Sequence, residues 1–178
     1  MRLQIPECRL QIGIALLLAS LASSIVHGET IDRVLAVVDR QLITLTDVTA
    51  ATDLWLQTAD GALDPVRAVL NKLIDRQLAL AEVDRYAPAE PTAEMVDREV
   101  QRVRQRLASA AAFDAALARS GIDEQHLRET LRQDLRTRAY LDQRFGTATD
   151  RTAVVNQWIA GLRRRGGVID LYLAGERR

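Results

Sequence analysis

The chain has 178 residues, 48% of them hydrophobic and 4% aromatic, a length that suits one domain and a composition too apolar for a disordered tail. Its 24 Lys and Arg balance its 24 Asp and Glu, so no net field draws it to nucleic acid or to an anionic membrane. With so few aromatics the core has to be built from Leu, Val, Ile and Ala, of which Ala and Leu favour helix.

At the N-terminus, Arg2 and Arg9 precede the apolar run LQIGIALLLASLASSIV. The run is too short and interrupted for a membrane span, which needs about 20 apolar residues. A basic start, a short apolar middle and small residues afterwards describe a secretory signal peptide over residues 1–28. Cleavage after Gly28 would leave Glu29 first; a cut after Ala22 is a second option, and an uncleaved anchor is the alternative. Cys8, the only cysteine, lies before the apolar run and would leave with the signal. Residues 29–178 then form a single domain without disulfides or thiolate chemistry, and the expected compartment is the bacterial periplasm.

Val34 to Val38 is apolar at every position, the pattern of a strand covered on both faces. DRQ makes a turn, LITL a second strand, and Thr46 is the expected N-cap of a helix running to about Gln57. Asp64 followed by Pro65 starts the next helix, because the missing proline N–H costs nothing in a first turn; that helix ends near Tyr86. Pro88 and Pro91 interrupt the chain, and Thr92 caps a helix whose Val96, Val100, Val103 and Leu107 form a narrow apolar seam. AAFDAALARSG reads as a short helix ending at Gly121, which suits a left-handed C-cap. Asp123 caps a long helix carrying Leu127, Leu131, Leu135 and Phe145, ended by Gly146. Asp150 caps the last helix, with Val154, Val155, Trp158, Ile159 and Leu162 as its stripe, and VIDLYL is a final strand. A lone hairpin is barely stable in water. The C-terminal strand is therefore expected to join the N-terminal hairpin in one sheet, giving a mainly α fold with a small β-sheet.

The succession VLAVVDRQLITLTDV, VLNKLIDRQLALAEVDRY, AEMVDREVQRVRQRL and FDAALARSGIDEQHLRETLRQDLRTRAYLDQRF resembles the N-terminal chaperone module of the SurA-like periplasmic folding factors, the family that also carries parvulin-type prolyl isomerase domains. The resemblance covers about Ile31 to Phe145, and its most telling piece is the FxxxLxxxGI segment from Phe113 to Ile122. It implies a helical module whose N-terminal hairpin is completed by a C-terminal strand. In that family the isomerase domain is inserted after the long helix; here only GTATD separates Phe145 from Arg151, which leaves no room for one. The RYAPAEPT link also departs from the family, where a glycine-containing turn is usual. The implied function is ATP-independent holding of unfolded or partly folded outer-membrane and secreted polypeptides, without isomerase activity. A dedicated envelope assembly protein holding one partner is the alternative, and prolyl isomerase activity by family membership a third.

No catalytic motif accompanies the pattern. His126 is the only histidine beyond the expected signal and lacks the neighbours a metal site requires. The carboxylates lie among arginines on helix surfaces, and neither a G-x-S-x-G nor a phosphate-binding glycine loop occurs. GLRRRGG reads as cations facing a helix C-terminus rather than as a nucleic-acid segment. No metal and no cofactor is expected. The candidate peptide-binding residues are Trp55, Met95, Phe113 and Tyr140, each weighed against ordinary core packing; Trp158 reads as core. The oligomeric expectation is a monomer, or a dimer exchanging its C-terminal helix and strand.

Overall fold

The computed structural model describes residues 32–172. The expected signal segment, residues 1–28, lies outside the described residues, as does Leu173 of the expected final strand. Among the described residues there are six helices and three strands. None of the helices is long and apolar enough to cross a membrane.

Strands β1 (Val34–Val38) and β2 (Gln41–Thr44) form an antiparallel hairpin. Its loop is two residues, Asp39 and Arg40, both left-handed with φ of 47° and 71°. Two such residues make the primed turn whose twist matches that of paired strands. Gln41, expected in the turn, is instead paired with Val38. The register shifts between Val34 and Ala36, so Leu35 is the extra residue of a bulge. That irregularity lets the neighbours Leu35 and Ala36 both be fully buried. It also corrects the expectation of a strand covered on both faces. Val37 lies opposite Leu42 on one side and Ile169 on the other, and Leu42 and Ile169 are each 58% exposed.

Helix α1 (Leu45–Asp53) starts two residues earlier than the sequence suggested and also stops earlier. Its N-cap is Thr44, not Thr46. The Thr44 hydroxyl oxygen accepts from the Asp47 N–H at 3.3 Å, and the Asp47 carboxylate accepts the Thr44 N–H at 2.8 Å. This reciprocal box satisfies two of the orphan donors of a helix start. Thr46 has no acidic residue three places on, and its N–H donates to Asp32 instead.

Helix α2 (Pro65–Tyr86) begins as the sequence indicates, with the Asp64 carboxylate accepting the Arg67 N–H at 2.9 Å. Helix α3 (Ala93–Arg106) is capped by Thr92 and buries Val96, Val100 and Val103. Helix α4 (Ala110–Ser120) closes on Gly121 at φ +64°, where a side chain would be strained. Helix α5 (Glu124–Phe145) is capped by Asp123, and α6 (Arg151–Arg165) by Asp150.

Strand β3 (Val168–Asp170) pairs antiparallel with β1, giving the order β2-β1-β3. The two ends of the described chain thus complete one sheet, as the hairpin argument required. β3 is shorter than expected because Asp170 turns the chain. Its carboxylate accepts the Tyr172 N–H at 3.0 Å and pairs with Arg67 at 2.6 Å.

Two apolar clusters hold these elements. The first joins the sheet to α1, α2 and α6 through Leu35, Ile43, Val48, Leu70, Ile74 and Leu162, with Trp158 packed against it. The second joins the end of α1 to α3, α4 and α5 through Leu54, Val100, Phe113, Leu117, Leu127 and Leu131. Each fully buried aliphatic side chain contributes about 1.5–3 kcal/mol relative to exposure.

Candidate functional site

A crevice of about 200 Å³ lies where these two clusters meet. Ile43, Ala51 and Leu73 of the first cluster line it, together with Leu56, Ile122 and Leu127 of the second. Its walls therefore come from β2, α1, α2 and α5 and from the turns after α1 and α4. The spacing of apolar residues on any one helix gives no sign of it.

The polar side of the crevice is organised by Arg76. Its Nε donates to Asp134 at 2.6 Å, and its Nη2 donates to the Thr130 carbonyl at 3.0 Å and to Gln133 at 3.2 Å. This cation bridges α2 to α5 along one side of the crevice. Glu129, also on the lining, has its carboxyl held below the usual range chiefly by hydrogen bonding from Arg132. Asp47, Glu129 and Asp134 against Arg76 leave the lining net negative. His126 also lines the crevice, exposed in the first turn of α5. No group of three or more potential metal ligands occurs among the described residues.

The four residues singled out from the sequence do not converge. None of them lines the crevice. Trp55 is 57% exposed and adopts a left-handed backbone at φ +55°, an uncommon state for a bulky residue. Its neighbours explain the posture. Leu54 is fully buried and Leu56 reaches the crevice, so the tight reversal after α1 turns the indole outward. The turn is fixed by the Trp55 N–H donating to the Thr52 carbonyl at 3.1 Å and by Arg106 donating to the Trp55 carbonyl at 2.9 Å. Met95 is partly exposed in the first turn of α3.

Phe113 is a core residue. It is 1% exposed within the second cluster, with the Arg104 guanidinium 4.6 Å from its ring centre. Tyr140 is likewise buried, its ring 5.4 Å from that of Tyr86 and 5.9 Å from that of Trp158. Phe145 extends this ladder, 5.7 Å from Trp158, and so fastens α6 to α2 and α5. Where the ladder surfaces, Tyr86, Pro88, Tyr140, Gln143 and Arg144 border a shallow groove of about 270 Å³.

No protein-family model matches this chain, and no curated protein matches it.

Proposed function

We propose that the protein is a periplasmic, ATP-independent holdase of the SurA N-terminal type, binding unfolded or partly folded polypeptides without prolyl isomerase activity. The observation that carries this reading is the crevice between the two apolar clusters. It has an apolar floor, a polar rim and one exposed strand beside it, so it suits a chain segment better than a small reactive molecule. Exposed apolar side chains are rare in large patches on proteins that bind nothing. Here Leu42 and Ile169, the cross-strand neighbours of Val37 on one sheet face, each expose more than half of their surface. The five residues between α5 and α6 leave no space for an inserted catalytic domain. The apolar N-terminal run supports export.

Weak and numerous contacts are what such a role demands, because a client must also leave. Purified protein at near-stoichiometric ratio is expected to slow the aggregation of an unfolded outer-membrane protein diluted from urea. Unchanged aggregation at several-fold excess would sink the reading.

A second reading is a dedicated envelope assembly protein with one partner. The row of Val37, Leu42 and Ile169 across the outer sheet face favours it, since a flat apolar stripe suits a folded surface. A pull-down from envelope extract separates the two: many unrelated chains for a holdase, one stoichiometric partner for an assembly protein.

A further inference from the structure

We propose that the free edge of β2 takes up an extended client segment as a fourth strand. One bulky apolar side chain of the segment sits in the crevice, and a neighbouring Lys or Arg meets the Asp47 carboxylate. The inference rests on the client-holding reading above and adds to it a binding mode and a sequence preference.

The register sets out the backbone chemistry. β2 lies at the end of the sheet, with only β1 as neighbour. Gln41 and Ile43 sit opposite Val38 and Ala36 on either side of the Val37–Leu42 pair. In a hairpin with a two-residue loop the pair that closes the loop is hydrogen-bonded, and bonded and non-bonded pairs alternate. The amide groups of Gln41 and Ile43 therefore face β1, and those of Leu42 face away from it. The Thr44 N–H is already taken by Asp47. Leu42 N–H and C=O remain as an open donor and acceptor among the described residues.

That edge is a wall of the crevice. Successive side chains of a strand point to opposite faces of a sheet. Leu42 and Ile43 nevertheless both line the crevice, so it abuts the strand along its edge. Native edges are usually blunted by charges or proline; Gln41, Leu42, Ile43 and Thr44 carry neither. Peptides added to such edges gain affinity from main-chain hydrogen bonds and specificity from pockets that take alternate side chains.

Size and charge narrow the occupant. A cavity of about 150 Å³ is enough to hold a benzene ring, so the crevice at about 200 Å³ takes one aromatic or large aliphatic side chain. Asp134 is paired with Arg76 and Glu129 with Arg132, whereas Asp47, next to the β2 edge, bonds only to the uncharged Thr44, so its carboxylate favours a cation beside that side chain.

The test uses the whole protein and a fluorescently labelled nine-residue peptide with Phe at its centre and Lys beside it, followed by fluorescence anisotropy. N-methylation of single peptide amides is expected to weaken binding at one position, the amide that donates to the Leu42 carbonyl, and to be tolerated at its neighbours. That one amide should lose about fivefold and the others little, because one hydrogen bond is worth about 1 kcal/mol and about 1.4 kcal/mol is tenfold. Exchanging Lys for Glu is expected to weaken binding severalfold, more so at low salt. Thr130→Trp, which fills the crevice from its rim, is expected to remove binding while circular dichroism stays unchanged. Methylation tolerated at every position, or Glu binding as tightly as Lys, overturns the strand proposal. If aggregation is still suppressed in that case, the holdase reading stands without it; if neither peptide binding nor suppression is seen, both fall. A concentration-dependent dimer that excludes the peptide assigns the edge to a second copy and also overturns it.

Discussion

The hydroxyl of Tyr172 donates to the Asp64 carboxylate at 2.9 Å, across 108 positions of sequence. Asp64 is at the same time the N-cap of α2, and Arg67 one turn on pairs with Asp170 of β3. One short network thus joins the start of α2 to the last described residues of the chain.

This closure has a pH dependence of definite sign. The Asp64 carboxyl is held below its ordinary range first by the Arg67 N–H and also by Tyr172, and that of Asp170 first by the Arg67 guanidinium. Carboxyls depressed in the folded state stabilise it above their unfolded pKa and lose that contribution as pH falls through the folded value. The Leu171 N–H donates to the Leu35 carbonyl at 3.0 Å and reports on the docked tail. Its amide-exchange protection is expected to fall below about pH 4, and Tyr172→Phe is expected to lower it already at neutral pH. Protection unchanged in both conditions would separate the tail from this network.

The turn between β1 and β2 places Asp39 and Arg40 in left-handed conformations that cost L-residues about 1–2 kcal/mol. Arg40→Gly is expected to raise stability by up to about 1 kcal/mol, read as a higher urea midpoint at unchanged slope. A lower midpoint would mean that the Arg40 side chain contributes contacts outweighing the strain.

Phe113→Ala is expected to cost about 3–5 kcal/mol, the range for removing a fully buried phenylalanine. Met95→Ala, at a partly exposed helix start, is expected to stay within about 0.5 kcal/mol. Thermal melts of the two variants would show the difference directly. Equal effects would place Phe113 outside the core.

Gly166 lies at the junction of α6 and β3, and a Cβ built there would come within 2.5 Å of the Leu78 side chain and 2.9 Å of the Leu162 carbonyl. Gly166→Ala is expected to destabilise by about 1–3 kcal/mol through overpacking. The loss should be concentrated in exchange protection of β3 rather than of α3 and α4.

Trp55→Gly separates strain from binding. Glycine accepts φ +55° freely, so the folded state is expected to hold or gain stability while aggregation suppression weakens. Full suppression by this variant would remove the indole from the client surface.

Helix positions were the most readable part of the sequence, because Asp64-Pro65, Thr92, Asp123, Asp150 and Gly121 each carry a local physical reason for a start or a stop. The three-stranded sheet was readable for a different reason: a hairpin alone is unstable, and only one other strand-like segment was available to it. Thr46 was read as the cap because LITL, Thr44 included, reads as strand, and the partner that makes Thr44 the cap, Asp47, lies beyond both. The bulge at Leu35 left no mark in composition, so two adjacent buried residues read as a strand covered on both faces. The crevice was invisible for a deeper reason. It is assembled from a few residues of each of four elements and two turns, brought together only by tertiary packing, with Arg76 bridging α2 and α5. Phe113 and Tyr140 could be read from the sequence either as contact residues or as core, and the apolar and aromatic neighbours that packing brings to them draw both inward.

The middle position of β1 has a consequence for how the molecule is made. The strand is synthesised near the beginning, but one of its two flanks is covered only by residues at 168–170. Until those residues are released, Ala36 to Val38 display an unsatisfied backbone, a template for foreign strands. A chain halted or clipped before α6 is complete would carry that liability permanently. Premature termination is therefore expected to yield self-associating material rather than a merely weakened monomer.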